Sequence, residues 1–312
     1  MIESRGNTDN TASVFNVGRI STDDGWKGVV SLCDSRGSEL SVQDWIGTLD
    51  NFGDLLGRPE RLIKNDGTTK VGIYRMSISG ISMPVVIKIH EEKPGIANFF
   101  RDKLRDKSLR NFRVAARLCN KGVPTAFPLC ALRHKNRGSE SYSLFITEYI
   151  DNSCDLHEFV SAEITRNSRD TETAELKKVL CLRISDIFAG LEKCRLWHRD
   201  AKAGNFLVAG RKGSKDRKNE DIKVMLIDMD GIKRRILPGR KRSMSSLAKL
   251  GSTLIWHGGI YSTDYLRIFR KFSVLIGLEG KNFRSVFRRL SRMAVALRVM
   301  TMVKSAIKNR AC

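Results

Sequence analysis

A chain of 312 residues with 41% hydrophobic content is long enough to bury a sizeable core, as one large domain or two packed lobes. Its 56 Lys and Arg against 34 Asp and Glu leave a formal net charge of +22, which suits phosphate groups, nucleic acid or an anionic membrane face without choosing among them. Seven scattered cysteines, odd in number and without a C-x-x-C pair, argue against a disulfide framework and a zinc site and fit a reducing cytoplasm.

The opening segment, MIESRGNTDNTASVF, places Glu3 and Asp9 where a signal peptide needs a basic start and an apolar core. No later apolar run reaches the roughly 18 residues of a membrane span. Residues 1–55 are rich in Ser, Thr, Asn, Asp and Gly and are expected to form a poorly ordered extension with little core of its own, above all before Val14. From Arg61 the pattern turns strand-like: a turn at Asn65-Asp66-Gly67, a β-branched run around Val71 to Tyr74, a turn near Ser79-Gly80, and a strand from Val85 to Ile89. This predicts an antiparallel meander. A basic helix is predicted over Asn98 to Asn120, closed by Lys121-Gly122 and Pro124. Apolar segments Phe127 to Leu132 and Leu144 to Ile150 complete a small, mostly β lobe over 56–150.

The second lobe, 151–312, opens with a long helix, since Leu176, Val179, Leu180, Ile184, Ile187, Phe188 and Leu191 recur at three-and-four spacing. It delivers the chain to WHRDAKAGNFLV. Two short strands, NFLVAG and KVMLIDMDG, follow, joined by the charged insert RKGSKDRKNED; the remainder reads as basic helices.

Phosphoryl transfer from ATP requires a carboxylate near the acceptor hydroxyl, a cation on the phosphates, and an amide and a carboxylate for magnesium. The chain supplies these in order. Asp200 is the candidate base and Lys202 the cation at the transferring phosphate. Asn205, five residues after Asp200, and Asp228, ending the apolar run before it, are the candidate Mg²⁺ ligands. Lys88, after Val85-Val86-Ile87, is the candidate nucleotide-phosphate cation.

These pieces resemble known motifs. HRDAKAGN is similar to the protein-kinase-like catalytic loop, VVIK to the lysine strand, and DMDG stands in the place of D-F-G. Together with NKGVPTAFPLCAL, FITEYIDNSCDLHEFV and LIDMDGIKRRI, they resemble the bacterial lipopolysaccharide inner-core kinases, the Kdo and heptose kinase family, over roughly Leu62 to Tyr265. The resemblance implies an α+β, bilobal kinase-like fold with a small antiparallel β lobe, a mostly helical lobe and an ATP cleft between them. It implies ATP and Mg²⁺ as cofactors and a sugar hydroxyl on a lipid-linked core as acceptor. It also implies that Thr147 to Ile150, including Glu148 and Tyr149, form the hinge whose backbone pairs with adenine. Two departures stand out. SLRNFRVAARLCNKG carries no acid to pair with Lys88, Asn111 standing where Glu is expected, so that Asp102, Asp106, Glu91 or Glu92 must substitute or phosphate alone must hold the lysine. The Gly-rich loop is thin, leaving Gly67, Thr68 and Thr69 as a small anion nest.

Two other classes fit parts of the chain. A compact protein Ser/Thr kinase suits H-R-D-x-K-x-x-N, though GVPT and LIDMDG suit it less; a pseudokinase or basic nucleic-acid scaffold suits the missing Glu but not the intact Asp200, Asn205 and Asp228 set. No specific nucleic acid is expected, and salt-sensitive binding to duplex DNA without base preference would not indicate one, since a charge of +22 predicts it in any case. His198 reads as a brace for the loop, and Asp230 as a turn cap or a second metal contact. His90, His134, His157 and His257 lack ligand spacing. Near the C-terminus, Phe283, Val286, Leu290, Met293 and Leu297 share one helical face opposite Arg284, Arg288 and Arg292. That face serves the core, or a basic helix lies on an anionic membrane as a peripheral attachment to its inner face.

Overall fold

The computed structural model describes residues 15–23, 25–49, 52–92, 106–135, 141–165, 170–210, 221–235, 241–255, 257–278, 280 and 282–310. The chain divides into two compact units, one of Met1–Asn120 and Ala126–Tyr149, the other of Lys121–Thr125 and Ile150–Cys312.

The first unit is built on a seven-stranded antiparallel sheet in the order β1-β2-β6-β7-β5-β4-β3. Its elements are β1 (Val17–Ser21), β2 (Trp26–Ser31), α1 (Val42–Leu49), α2 (Phe52–Gly57), β3 (Arg61–Asn65), β4 (Thr69–Ile78), β5 (Ile81–Glu92), α3 (Lys107–Asn120), β6 (Pro128–Lys135) and β7 (Ser141–Glu148). Strand alternation selects the core: Tyr74, Met76 and Ile78 of β4, Val85 and Ile87 of β5, and Leu144 and Ile146 of β7 are buried together. The expected meander is β3-β4-β5. The predicted helix over 98–120 is α3 from Lys107 onward; the part over 98–105 lies outside the described residues.

The expectation of a poorly ordered extension over 1–55 is corrected for residues 17–21, 26–31, 42–49 and 52–57, which form β1, β2, α1 and α2. Trp26, Val30, Trp45, Leu49 and Phe52 enter the same core as the sheet, with Trp45 and Phe52 fully buried. Polar composition masks two short periodicities here, one of a strand and one of a helix at Trp45 and Leu49. A Ser41–Asp44 capping box starts α1: the Asp44 carboxylate accepts from the Ser41 N–H at 2.8 Å, and the Ser41 hydroxyl accepts from the Asp44 N–H at 3.2 Å. The Trp45 indole N–H donates to the Ser31 carbonyl at 2.9 Å. The part before Val14 lies outside the described residues.

The second unit contains β8 (Ser153–Asp155), α4 (Leu156–Phe159), α5 (Thr171–Lys193), β9 (Leu196–His198), β10 (Phe206–Ala209), β11 (Lys223–Leu226), β12 (Ile232–Arg234), α6 (Lys241–Leu254), α7 (Ser262–Leu275) and α8 (Phe283–Arg310). Six of the seven apolar residues that its spacing singles out in α5, Leu176, Leu180, Ile184, Ile187, Phe188 and Leu191, are buried, while Val179 is half-buried. α5 packs on α7, and α6 on α8. Two small antiparallel sheets, β11-β10-β8 and β12-β9, carry the motif-bearing loops. The segment Lys121–Thr125 belongs here because Leu226 N–H donates to the Pro124 carbonyl at 3.0 Å and the Thr125 hydroxyl to the Leu226 carbonyl at 2.7 Å. The GVPT signature thus steadies the strand that ends just before Asp228. Most of the charged insert lies outside the described residues.

In α8 the packed face at its start shares Phe283 and Leu290 with the sequence-predicted one but is completed by Phe287 and Ala294: Phe283 and Phe287 lie against Phe269, Leu290 and Ala294 are buried, and Val286, Met293 and Leu297 are half-buried. Beyond Ala294 the exposed apolar residues are Val295, Val299, Met300, Met302, Val303 and Ile307. No helix among the described residues is long and apolar enough to cross a membrane.

Candidate active site

The H-R-D loop begins at β9, whose His198 pairs in register with Ile232 of β12. His198 is fully buried. Its Nδ1 accepts the Asp200 N–H at 3.1 Å, which places the ring proton on Nε2. Burial drives the imidazole pKa down to about 4, although Asp228, Asp200 and the Ile227 backbone pull the other way. The ring is therefore a neutral brace at pH 7.

The backbone around Asp200 is pinned peptide by peptide. Arg199 N–H donates to the Gly231 carbonyl at 2.7 Å, and the Asp200 carbonyl accepts from Lys202 N–H at 2.9 Å and from Asn205 Nδ2 at 2.6 Å. Ala201 and Ala203 are buried, which turns the loop's small residues inward and leaves the Asp200 and Lys202 side chains each 55% exposed, 3.4 Å apart. An exposed pair of this kind is worth at most about 1 kcal/mol, so an incoming group can part it.

Strand pairing brings Asn205 and Asp228 to the same end of two neighbouring strands. Phe206 of β10 opposes Leu226 of β11, and Ile227 N–H donates to the Asn205 carbonyl at 2.9 Å one step beyond the ladder. Asn205 is buried, and with its amide nitrogen committed to Asp200 its side-chain oxygen is the atom left for a cation. Asp228 stands in the left-handed region, φ 61 and ψ 70, a conformation that costs a non-glycine residue energy and concentrates at functional sites. The hard oxygen donors of Asn205 and Asp228 fit Mg²⁺. Asp230 lies in the single turn Met229–Gly231 that follows.

One contributor escaped the sequence reading. α6 lies along the loop with residues 242, 246, 249 and 253, one helical face. The Arg242 guanidinium sits 5.2 Å from the Trp197 ring; the Ser246 hydroxyl donates to the His198 carbonyl at 2.9 Å; the Lys249 ammonium donates to the Arg199 carbonyl; the Thr253 hydroxyl accepts from Ala203 N–H at 3.1 Å. This spacing has no meaning in sequence until the loop's open backbone groups are known.

The remaining candidates belong to the first unit. Lys88, half-buried in β5, pairs with Val71 on one side and Phe145 on the other. Two residues on, His90 opposes Ser143, whose hydroxyl accepts from Ser108 of α3 at 3.1 Å. Directly opposed residues share a face, so Lys88 lies on the sheet face that α3 covers. Among the acids named as substitutes for the missing Glu, Asp106 caps α3 through Leu109 N–H at 2.9 Å, and Glu91 pairs with Lys70 at 2.8 Å. Asp102 and the side chain of Glu92 lie outside the described residues.

Gly67 and Thr68 form the β3–β4 turn, Gly67 at φ 78. Its N–H groups are already turned inward: Gly67 N–H meets the Asn65 side chain at 3.5 Å, and Thr69 N–H the Asp66 carboxylate at 3.0 Å. Lys64, with the backbone of Thr69 and Thr68, holds the Asp66 carboxyl below its ordinary range. The nest thus contains an anion of the chain's own. Glu148 and Tyr149 end the first unit; their N–H groups donate to Phe127 and Pro84 carbonyls, and the Glu148 carboxylate accepts from Ser35 N–H at 2.9 Å.

The family described as "Lipopolysaccharide kinase (Kdo/WaaP) family" matches residues 93–272. The solved structure "WaaP in complex with acyl carrier protein" shares the fold at a TM-score of 0.57 and 18% identity, over 80% of this chain and 92% of that one. "ROP18 kinase domain in complex with AMP-PNP and sucrose" aligns at a TM-score of 0.46 and 13% identity, over 76% of this chain and 81% of that one. No curated protein matches the sequence.

Proposed function

The chain belongs to the lipopolysaccharide kinase (Kdo/WaaP) family, and is a phosphotransferase on that ground; we propose that it passes the γ-phosphate of ATP to a sugar hydroxyl of a lipopolysaccharide-core-like glycolipid. The observation that carries this reading is the convergence of Asp200, Lys202, Asn205 and Asp228 on one framework of backbone hydrogen bonds.

In this reading Asp200 orients the acceptor hydroxyl and takes its proton, and Lys202 leaves its ion pair for the transferring phosphoryl group. Asn205 and Asp228 would hold Mg²⁺, which would supply positive charge against the phosphate oxygens. Lys88 serves the nucleotide phosphates, and the backbone carbonyls at Glu148 and Tyr149 serve the adenine, since the N–H groups there are engaged by Phe127 and Pro84. Phosphate at Gly67 and Thr68 would have to displace Asp66, so the first unit's phosphate role rests mainly on Lys88. A lipid-linked acceptor places the enzyme at the inner face of the cytoplasmic membrane, and we assign the exposed apolar residues of α8 beyond Ala294, on a helix with Arg and Lys and no acid, to contact with anionic lipid.

The test is labelled ATP offered to core glycolipid and to carrier protein together. Label is expected in the Kdo- or heptose-containing lipid, and Asp200→Ala should remove about 10²- to 10⁴-fold of the rate. Label in protein alone would sink the sugar-kinase reading.

A further inference from the structure

The peptide unit that joins Arg199 to Asp200 is held at both ends. Its N–H, that of Asp200, donates to His198 Nδ1 at 3.1 Å, and its carbonyl, that of Arg199, accepts from the Lys249 ammonium. The preceding peptide is held likewise, with Arg199 N–H on the Gly231 carbonyl at 2.7 Å and the His198 carbonyl under the Ser246 hydroxyl at 2.9 Å. Two of these four anchors, Ser246 and Lys249, come from one turn of α6.

A peptide plane fixed at both its donor and its acceptor cannot rotate about the chain axis, and its orientation sets the direction in which the Asp200 Cα–Cβ bond leaves the backbone. The carboxylate itself is 55% exposed, and the side chain it meets among the described residues is that of Lys202, 3.4 Å away. Its aim therefore depends on the backbone beneath it. A charged donor is suited to this task, because an ammonium–carbonyl bond is stronger than a neutral one and withstands competition from water at a half-exposed position.

We propose that Lys249 is a positioning residue for Asp200: by holding the Arg199 carbonyl it fixes the peptide that aims the carboxylate, with Ser246 doing the same one peptide earlier. The proposal rests on the kinase reading for its effect on rate, but not for its effect on the loop. Its test therefore pairs kinetics with amide hydrogen exchange at Asp200, measured on the full-length wild type, Lys249→Met and Lys249→Arg.

Lys249→Met is expected to speed exchange of the Asp200 amide by about tenfold and to lower kcat by about 10- to 100-fold, since sub-ångström misplacement of a reacting group is costly. KM for ATP and for glycolipid should stay within about twofold, and Lys249→Arg should restore most of both losses because it still offers a cation to the carbonyl. Unchanged exchange at Asp200 in Lys249→Met would overturn the proposal whatever the activity. So would a change confined to the KM of the glycolipid, which would make Lys249 an acceptor-binding residue. Absence of phosphotransfer in the wild type, with exchange still accelerated in Lys249→Met, would instead count against the kinase reading and leave Lys249 supported as the anchor of the loop.

Discussion

Gly231 lies so close to His198 that a Cβ at that position would stand 2.3 Å from the ring carbon Cε1 and 2.7 Å from Nδ1. Neither atom is the free end of a flexible side chain, because the ring is buried and its Nδ1 holds the Asp200 N–H. This contact explains the glycine of D-M-D-G without any appeal to backbone freedom. Gly231→Ala must push the ring away from Asp200 or bend the turn, at a cost of about 1–3 kcal/mol for overpacking. The expected result is a lower melting temperature together with a fall in kcat of about tenfold or more. Gly47→Ala is the control: it meets nothing within 4 Å on α1 and should stabilise by about 0.5–1 kcal/mol. Equal behaviour of the two variants would rule out the contact.

His198 also ties stability to pH. Folding lowers its pKa from 6.5 to about 4, chiefly through burial. Above pH 6.5 both folded and unfolded forms are neutral and the contribution is fully present. As pH falls from there towards 4, only the unfolded chain takes up the proton, so stability drops at up to about 1.4 kcal/mol per pH step and by about 3 kcal/mol in all. His198→Asn keeps an acceptor for the Asp200 N–H and does not titrate. Urea midpoints measured from pH 7 to pH 4 should fall less steeply in this variant; parallel curves would show that the acid sensitivity arises elsewhere.

Residues 17–57 should behave as part of the first unit's core. Trp45→Ala removes a fully buried indole and its bond to the Ser31 carbonyl, so a loss of about 3–5 kcal/mol is expected from urea unfolding. A loss below about 0.5 kcal/mol would return this segment to the status of an appendage.

How far the sequence was legible depended on whether the information was local. Strands β3 to β5 and helix α5 announce themselves by periodicity, and the H-R-D and D-M-D-G loops by residue types at fixed spacing. The segment around Trp26 and Trp45 did not, because its apolar residues are few and acquire meaning only against the strands β4 to β7 with which they share a core. Ser246 and Lys249 were invisible for a related reason: their partners are backbone carbonyls nearly fifty residues earlier, and carbonyls leave no mark in a sequence. The turn at Gly67 shows a different limit. A glycine–threonine run suggests an anion nest, but its spacing does not say that the neighbouring Asp66 carboxylate accepts the Thr69 N–H.

The distal half of α8 sets up a test of membrane contact that leaves the chemistry alone. Val299, Val303 and Ile307 recur at four-residue spacing, each about half exposed or more, at 49, 52 and 63%, and Met302 at 54% lies beside them. The exposed Lys304 lies on the same helix, which contains no acid. Pairing with a second copy would set this charge against its counterpart, whereas an anionic leaflet would attract it while lipid covers the apolar residues. Binding to vesicles containing anionic phospholipid should therefore exceed binding to neutral vesicles by about tenfold, and should weaken at about 1 M salt, where the screening length is near 3 Å. Val299→Glu with Val303→Glu should abolish this binding. Phosphotransfer to a detergent-dispersed acceptor should be unaffected, since both positions are remote in sequence from the loop and exposed on α8. Binding that is equal on neutral and anionic vesicles, or a double variant that still binds, would remove α8 as the contact surface.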